Sequence, residues 1–354
     1  DVDDCGTGSN IYQEIEIIKA IKSVGVHETH QMDSLFRMVW KKMLPDAVEH
    51  GNNIITEIDF LHIFSMSKES LFPVQQRFEE IKNLIPRIQL NDVVKQIEQN
   101  DSGMPICIHG SAGIGKSSIT QLLKTKINNN SEVILFDCYG AGTYLNPSDN
   151  RQLHKEALLH ICNEMAKKIG SSFLLAKNND PYIFLKEFKQ RVEQTVRILK
   201  ARDKDALLLL IIDAADNSVV AAQKNQTDCF VHDLVLENYV PGFRLILTSR
   251  SHRVDTLKLP ESYIDIPIKA FEYSETKKLL KHHFPACTDG EIAEFHKLTN
   301  GIPRVQAYAL DAENKKINNI LDLLRPNGKI VETLIQDKIV DAGKRLGHEG
   351  GIII

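Results

Sequence analysis

The sequence predicts an α/β fold in which five parallel strands alternate with flanking helices. A helical region precedes this sheet and a small all-α lid domain follows it. Three observations predict it. The run Gly110-Ser111-Ala112-Gly113-Ile114-Gly115-Lys116-Ser117 fits G-x-x-x-x-G-K-[ST], the phosphate-binding P-loop, between a short apolar stretch and an amphipathic one. Residues 206–212 are unbrokenly apolar and run into Asp213, the pattern of a parallel strand buried on both faces. Strand-like and helix-like segments alternate from about residue 92 to 270, and strand signals vanish after Phe271.

Composition bounds the reading. The chain has 354 residues, enough for two or three domains. Hydrophobic residues at 42% and charged residues at 25% are ordinary for a soluble globular protein. A net charge of −4 gives no electrostatic case for nucleic acid as a main partner. The six cysteines are scattered without a C-x-x-C pair, so reduced thiols in a cytoplasmic protein are expected. No apolar run reaches the roughly 18 residues of a membrane span. Both ends read as cut: the chain starts without Met and stops on Gly351-Ile352-Ile353-Ile354, so a fragment of a longer protein is expected.

Taken in order, residues 1–91 read as a helical or linker region. Ile11, Ile15, Ile18 and Ile21 recur at helical spacing, as do Leu35, Met38, Val39 and Leu44. His27 and His30 stand three apart, but no third ligand follows at a metal-binding spacing, and a surface loop is expected there. A helix over 92–99 with Asp92 as N-cap leads to a strand at 104–109, the P-loop, and a helix bearing Ile119, Leu122, Leu123 and Ile127. A second strand at 133–136 ends at Asp137, and a polar, glycine-containing loop fills 139–150. A helix over 153–169 stops at Gly170, and Asp180-Pro181 opens another that reaches about residue 200. After the 206–212 strand, a helix is expected over 228–239, a fourth strand over 244–250, and a fifth carrying Ile264, Ile266 and Ile268.

The lid begins with a helix capped by Ser274. Thr288-Asp289-Gly290-Glu291 is a capping box for the next, which stops at Asn300-Gly301. Helices are expected over 305–312, 317–324 and 330–340. The domain limits are therefore 1–91, 92–270 and 271–354, the last including the start of a further C-terminal domain.

The chemistry follows from the residue types. Glycines bring backbone N–H groups close to phosphate oxygens, Lys116 places a point charge on the β and γ phosphates, and the Ser117 hydroxyl suits Mg²⁺. Four fixed positions arise by chance about once in a hundred chains of this length, and the strand–loop–helix context narrows that further. Asp213 stands at the C-terminal end of its strand, where ligands bind in open α/β sheets, and beside the P-loop it is read as a Mg²⁺ ligand ahead of the bland alternative, an Asp-capped turn. Arg250, closing the fourth strand, is either a phosphate sensor or a salt-bridged surface arginine. With no Asn-Lys-x-Asp and no D-x-x-G after Asp213, ATP is favoured over GTP. AAA+ motors usually place Glu directly after the strand-end Asp. Here that residue is Ala214 and the nearby acid is Asp216, which suits slow hydrolysis and a two-state switch.

The loop His109-Gly110 to Ser117, the Asp213-Ala214-Ala215-Asp216 run, Thr248-Ser249-Arg250 and Gly301-Ile302-Pro303 together resemble the STAND class of P-loop ATPases, closer to its NACHT-like than its NB-ARC-like branch. The resemblance covers about residues 84–325 and implies an AAA+/STAND-like sheet. It implies that Gly110, Ser111, Ala112, Gly113, Ile114, Gly115, Lys116, Ser117 and Ser118 bind the phosphates, with Ser117 and Asp213 on Mg²⁺. Asp216 would assist hydrolysis, Arg250 would sense the γ-phosphate, Pro303 would pack near the adenine, and residues 84–88, with Arg87, would cover the base. The Glu that NACHT proteins often carry after the second acid is Asn217 here, and His348 is a poor match to a winged-helix histidine. STAND proteins are typically switches that rest with ADP, sense a trigger ligand through further domains and self-assemble with ATP in signalling or antiviral defence. Two readings stand beside this one. One is a P-loop kinase or AAA+-type motor acting on another substrate, with 139–150 as acceptor loop; the other is a protein that binds nucleotide without hydrolysing it.

Overall fold

A computed structural model describes residues 67–78, 84–175, 179–311 and 316–325. The helices expected over 1–66 and 330–340, the His27–His30 pair and His348 lie outside them. The described chain divides into two compact units. The first takes 67–78, 94–109, 123–175 and 179–266; the second takes 84–93, 110–122, 267–311 and 316–325.

β1 (Ile106–Gly110), β2 (Glu132–Asp137), β3 (Leu208–Asp213), β4 (Phe243–Arg250) and β5 (Ile264–Pro267), which but for Gly110 and Pro267 belong to the first unit, form one parallel sheet in the order β2-β3-β4-β1-β5. Every residue of β3 is buried, as its unbroken apolar run requires. The β2–β3 register sets Asp137 opposite Asp213, and the β3–β4 register runs from Leu208 opposite Phe243 to Ile212 opposite Leu247. Strand-end acids thus arrive together at the C-terminal edge.

The helices of this unit are α3 (His154–Ile169), α4 (Pro181–Arg202), α5 (Ala215–Asn225) and α6 (Phe230–Leu234); α1 (Leu90–Glu98) and α2 (Lys116–Lys126) flank the P-loop strand in sequence. Asp180 accepts a hydrogen bond from the Tyr182 N–H at 3.0 Å and Pro181 takes the first helical position, as read from the sequence. Gly170 ends α3 at φ +94°, the left-handed geometry a side chain resists. Phe136, Leu158, Phe184, Phe188, Leu210 and Leu245 share one buried cluster.

Several elements differ from the sequence reading, three of them in ways that matter here. Helix α1 starts at Leu90, two residues before the expected cap, which puts Asp92 in its first turn. Helix α5 was not anticipated; it opens from Ala214 in left-handed geometry without a capping side chain. The helix expected over 228–239 lasts only for Phe230–Leu234, since the Leu234 carbonyl then takes the Tyr239 hydroxyl at 2.9 Å.

Residues 67–78 bond to α3, to Arg151 and to the last residue of β2. The Asn163 amide donates to the Leu71 carbonyl at 2.9 Å, Gln76 Oε1 accepts the Asp137 N–H at 2.7 Å, and Arg151 donates to the Gln75 carbonyl at 2.7 Å. Arg151 is 1% exposed and also reaches the Asp137 carbonyl (2.9 Å) and Asp149 (2.8 Å), so no guanidinium edge is left dry and unpaired.

In the second unit, α7 (Tyr273–His283), α8 (Asp289–Leu298), α9 (Pro303–Asp311) and α10 (Ile317–Leu324) pack Leu280, Ile292, Phe295, Ile320 and Leu321 into their own core. Thr288 and Glu291 make the expected capping box. The cap of α7 is Glu272, boxed with Glu275, rather than Ser274. Gly301 is obligatory at its turn. Its φ is +64°, and a Cβ there would stand 2.6 Å from the Phe271 carbonyl oxygen. Among the described residues, no helix is long and apolar enough to cross a membrane.

One buried group ties this fold to pH. His160, on α3, packs its ring edgewise on Phe72 and Phe136, and neither ring nitrogen has a partner among the described residues. Burial pushes its imidazole down to about 4 from 6.5, helped by the nearby cations Arg151 and Lys167. The unfolded chain takes up this proton near 6.5 and the folded chain does so only near 4. Stability from His160 is therefore complete above pH 6.5 and falls by on the order of 3 kcal/mol as pH drops toward 4. Urea denaturation across that window is expected to show this decline, and His160→Leu to flatten it.

Candidate functional site

The loop that follows β1 is shaped by two glycines. Gly113 has φ +76° and Gly115 φ +97°, conformations that L side chains rarely adopt. Space is closed as well: a Cβ on Gly113 would meet Arg304 Cβ at 2.8 Å, and one on Gly115 would meet Arg87 Nη1 at 2.9 Å. At Gly110, where φ is ordinary, a Cβ would strike Ile114 at 2.7 Å and the Ile268 carbonyl at 3.1 Å. The loop enters α2 through Lys116, and the Ile119 N–H donates to the Gly115 carbonyl at 3.1 Å.

Carbonyl oxygens of the loop find donors. Lys116 Nζ donates to the carbonyls of Gly110 (2.9 Å) and Ser111 (3.0 Å). The Arg304 N–H donates to the Gly113 carbonyl at 3.1 Å, and Arg87 Nη1 to the Ile114 carbonyl at 2.9 Å. Ser111, Ala112 and Ser117 are exposed, Ser118 is half-buried, and Ile114 is buried as the loop's anchor.

Arg87 is 4% exposed. Besides Ile114 it donates to the Lys269 carbonyl (2.6 Å) and to Glu275 Oε1 (3.2 Å), and it lies 4.8 Å over the Phe271 ring. Burial lowers its pKa, and the Glu275 carboxylate opposes that by favouring the charged form. Glu275 also accepts the Ile88 N–H (2.8 Å) and the Glu272 N–H (2.7 Å). The guanidinium thus stands inside the molecule, bonded to the phosphate loop and to the start of α7. Pro303 begins α9, with its ring 3.7 Å from the point a Gly115 Cβ would occupy.

In the first unit, Asp213 closes β3 and is 7% exposed. The β3–β4 register sets Thr248 beside it. Thr248 Oγ1 donates to Asp213 Oδ1 at 2.5 Å and accepts the Ala214 N–H at 2.7 Å. Ala214 holds φ +54°, which costs about 1–2 kcal/mol for a residue with a Cβ. Three residues on, Asp216 is 1% exposed in the first turn of α5, where the helix dipole favours an anion. Its Oδ2 lies 3.3 Å from Arg253 Nη1, which also reaches Asn217 Oδ1 at 3.4 Å. Arg250, half-buried at the end of β4, has no side-chain hydrogen bond or ion pair among the described residues. His109, last before the phosphate loop, bridges Ser251 Oγ (2.9 Å) and Asp265 Oδ1 (3.0 Å).

Sequence reasoning missed Glu275, Arg304, Arg253 and the Asp137–Arg151 pair. Arg304 carried one signal, its place directly after the Gly-x-Pro. The others gain their roles from partners far away in sequence. Among the described residues no group of three or more His, Cys, Asp or Glu side chains converges as a metal site. Mg²⁺ takes one or two protein oxygens and completes its shell with phosphates and water. The Ser117 hydroxyl and the Asp213 carboxylate are donors of that kind.

The NACHT domain family model matches residues 104–287, just over half of the chain. No curated protein matches the sequence. Among solved structures, a Walker-type ATPase of Pyrococcus abyssi is 16% identical with a TM-score of 0.49, over 78% of this chain and 80% of that one. Cdc6p from Pyrobaculum aerophilum is 13% identical with a TM-score of 0.36, over 79% and 67%. A STAND protein with a tetratricopeptide-repeat sensor from Pyrococcus horikoshii is 18% identical with a TM-score of 0.33, over 72% of this chain but 33% of that one.

Two substitutions test the bonding described. Arg87→Ala leaves Glu275 buried without its cation and is expected to lower the unfolding free energy by about 3–5 kcal/mol. Thr248→Val leaves the Ala214 N–H without its acceptor and is expected to lower it by about 1–3 kcal/mol. Equilibrium denaturation measures both.

Proposed function

The chain belongs to the NACHT family of STAND-class P-loop NTPases, and from that premise we propose that it is an ATP-binding, slowly hydrolysing switch whose nucleotide state controls self-assembly. The observation that carries this is the bonding of the phosphate loop into the helical elements. Gly113 is held by Arg304 of α9, and Ile114 by Arg87, which is anchored on Glu275 of α7. A phosphate that draws on the loop backbone draws on these helices with it, which is what a switch requires.

The proposed roles follow. The backbone N–H groups of the loop, with Lys116, bind the phosphates, and Ser117 and Asp213 are the Mg²⁺ ligands. When bound, Mg²⁺ supplies charge neutralisation on the phosphates. Asp216 assists the attacking water, Arg250 senses the terminal phosphate, and Pro303 packs near the adenine. Residues 84–88, with Arg87, cover the base, and Arg87 also braces the loop through the Ile114 carbonyl. ATP defines the assembling state and ADP the resting one. The trigger, a protein or other ligand, acts through further domains, and the output lies in cytoplasmic signalling or defence.

The kinase reading is disfavoured by the 139–150 loop. Asp137 accepts the N–H groups of Tyr139 (2.7 Å) and Gly140 (2.9 Å), and Thr143 and Arg151 both bond to Asp149. A loop folded on its own polar groups offers an acceptor little.

Lys116→Ala is expected to abolish ATP-dependent assembly, read by size-exclusion chromatography with light scattering in ATP and in ADP, and to lower single-turnover hydrolysis by at least about a hundredfold. Fast multiple turnover by a monomer on a small acceptor would overturn the switch.

A further inference from the structure

Helix α5 enters the core with an anion and nothing on its own cap to hold it. Ala214 offers no capping side chain, and the Asp216 side chain is 2% exposed. A buried carboxylate needs a cation or donors. Arg253 is the cation the structure gives it, 3.3 Å from Oδ2.

Arg253 comes from the 3₁₀ turn Ser251–Leu257, directly after β4. That turn is itself fixed. Thr256 Oγ1 donates to the Arg253 carbonyl at 2.7 Å, the Thr256 carbonyl is 2.9 Å from His232 Nε2, and Leu257 is fully buried. The guanidinium therefore starts from a rigid base. One nitrogen is divided between Asp216 and Asn217, adjacent residues in the first turn of α5. Asn217 is neutral, so the guanidinium meets one carboxylate there and not two.

We propose that Arg253 is the positioning residue for Asp216: by tying Oδ2 it fixes the plane of the carboxylate and leaves the other oxygen to take the proton of the attacking water. This rests on the reading of Asp216 as the group that assists hydrolysis. Arg253 acts through Asp216 and does not touch the nucleotide. It stands three residues after Arg250 on one continuous backbone, so the proposed sensor and the positioning residue share a rigid segment.

The test compares wild type, Arg253→Ala, Arg253→Lys, Asp216→Asn and the double variant Arg253→Ala with Asp216→Asn. Three quantities are read: the single-turnover hydrolysis rate at saturating Mg·ATP, the affinity for a fluorescent ATP analogue, and the melting temperature. A well-placed base contributes roughly a hundredfold or more, so its misplacement is expected to slow Arg253→Ala by about tenfold. Affinity stays within about twofold, because Arg253 binds no phosphate. Arg253→Lys, which keeps a donor and the charge, recovers most of the rate. The double variant is no slower than Asp216→Asn alone, since both changes disable one unit.

An unchanged rate in Arg253→Ala, a double variant slower by the product of the two single losses, or a lysine variant as slow as alanine would each overturn the proposal. If Arg253→Ala melts well below wild type, Arg253→Met keeps the half-buried stem and takes its place under the same criteria. Absence of hydrolysis in the wild type would sink the switch reading itself, and the proposal with it. Hydrolysis that Arg253 variants leave untouched would sink only this inference.

Discussion

A loop that turns its N–H groups toward an anion must turn its carbonyl oxygens the other way, and each buried carbonyl then needs a donor. The rest of the second unit depends on that constraint. Gly110 and Ser111 are served by Lys116, Gly113 by the Arg304 N–H, and Ile114 by Arg87. Arg87 can be buried only because Glu275 is buried with it. Glu275 in turn fits only because it closes a capping box with Glu272 and accepts the Ile88 N–H. One backbone conformation thus dictates an ion pair, a helix start and the path of the segment before α1. The two glycines with positive φ are the price of entry, and neither has room for a methyl group.

The carboxylate end of β3 obeys a different constraint, strand register. Parallel pairing with β4 brings Thr248 level with Asp213, so one hydroxyl can both donate to the acid and accept from the Ala214 N–H. That pair of hydrogen bonds holds Ala214 in a left-handed conformation a glycine would adopt more easily. The chain turns there at once into α5 and delivers Asp216 to its buried place. Small shifts of register would separate all three groups.

How much of this the sequence revealed depended on how local the cause was. The five strands were legible because apolar runs of strand length need no partner to declare themselves; β3 is the clearest case. Asp180-Pro181, Gly170 and Thr288-Glu291 were legible because a cap lies within three residues of what it caps. Helix α5 stayed hidden because it begins without a capping residue and its apolar positions are mostly small. The span 228–239 read as helix because its apolar spacing is helical, yet Tyr239 folds back on Leu234. Ser274 displaced Glu272 as the expected cap because serine is the commoner choice. Arg87 was located by resemblance, but its bond to Glu275 spans 188 residues and no pattern in the chain announces it. Arg253 was likewise an unremarked cation until the turn after β4 carried it to Asp216.

The bonds from residues 67–78 to Asn163, Arg151 and Asp137 bear on where the protein can be trimmed. The family match begins at residue 104, which invites a minimal fragment starting nearby. Such a fragment would strip the Gln75 carbonyl from Arg151, the Leu71 carbonyl from Asn163 and the Gln76 amide oxygen from Asp137. Two of those partners are buried side chains. It would also lose Arg87 and Glu275's cation with it. A piece that keeps these three bonds therefore begins ahead of residue 70.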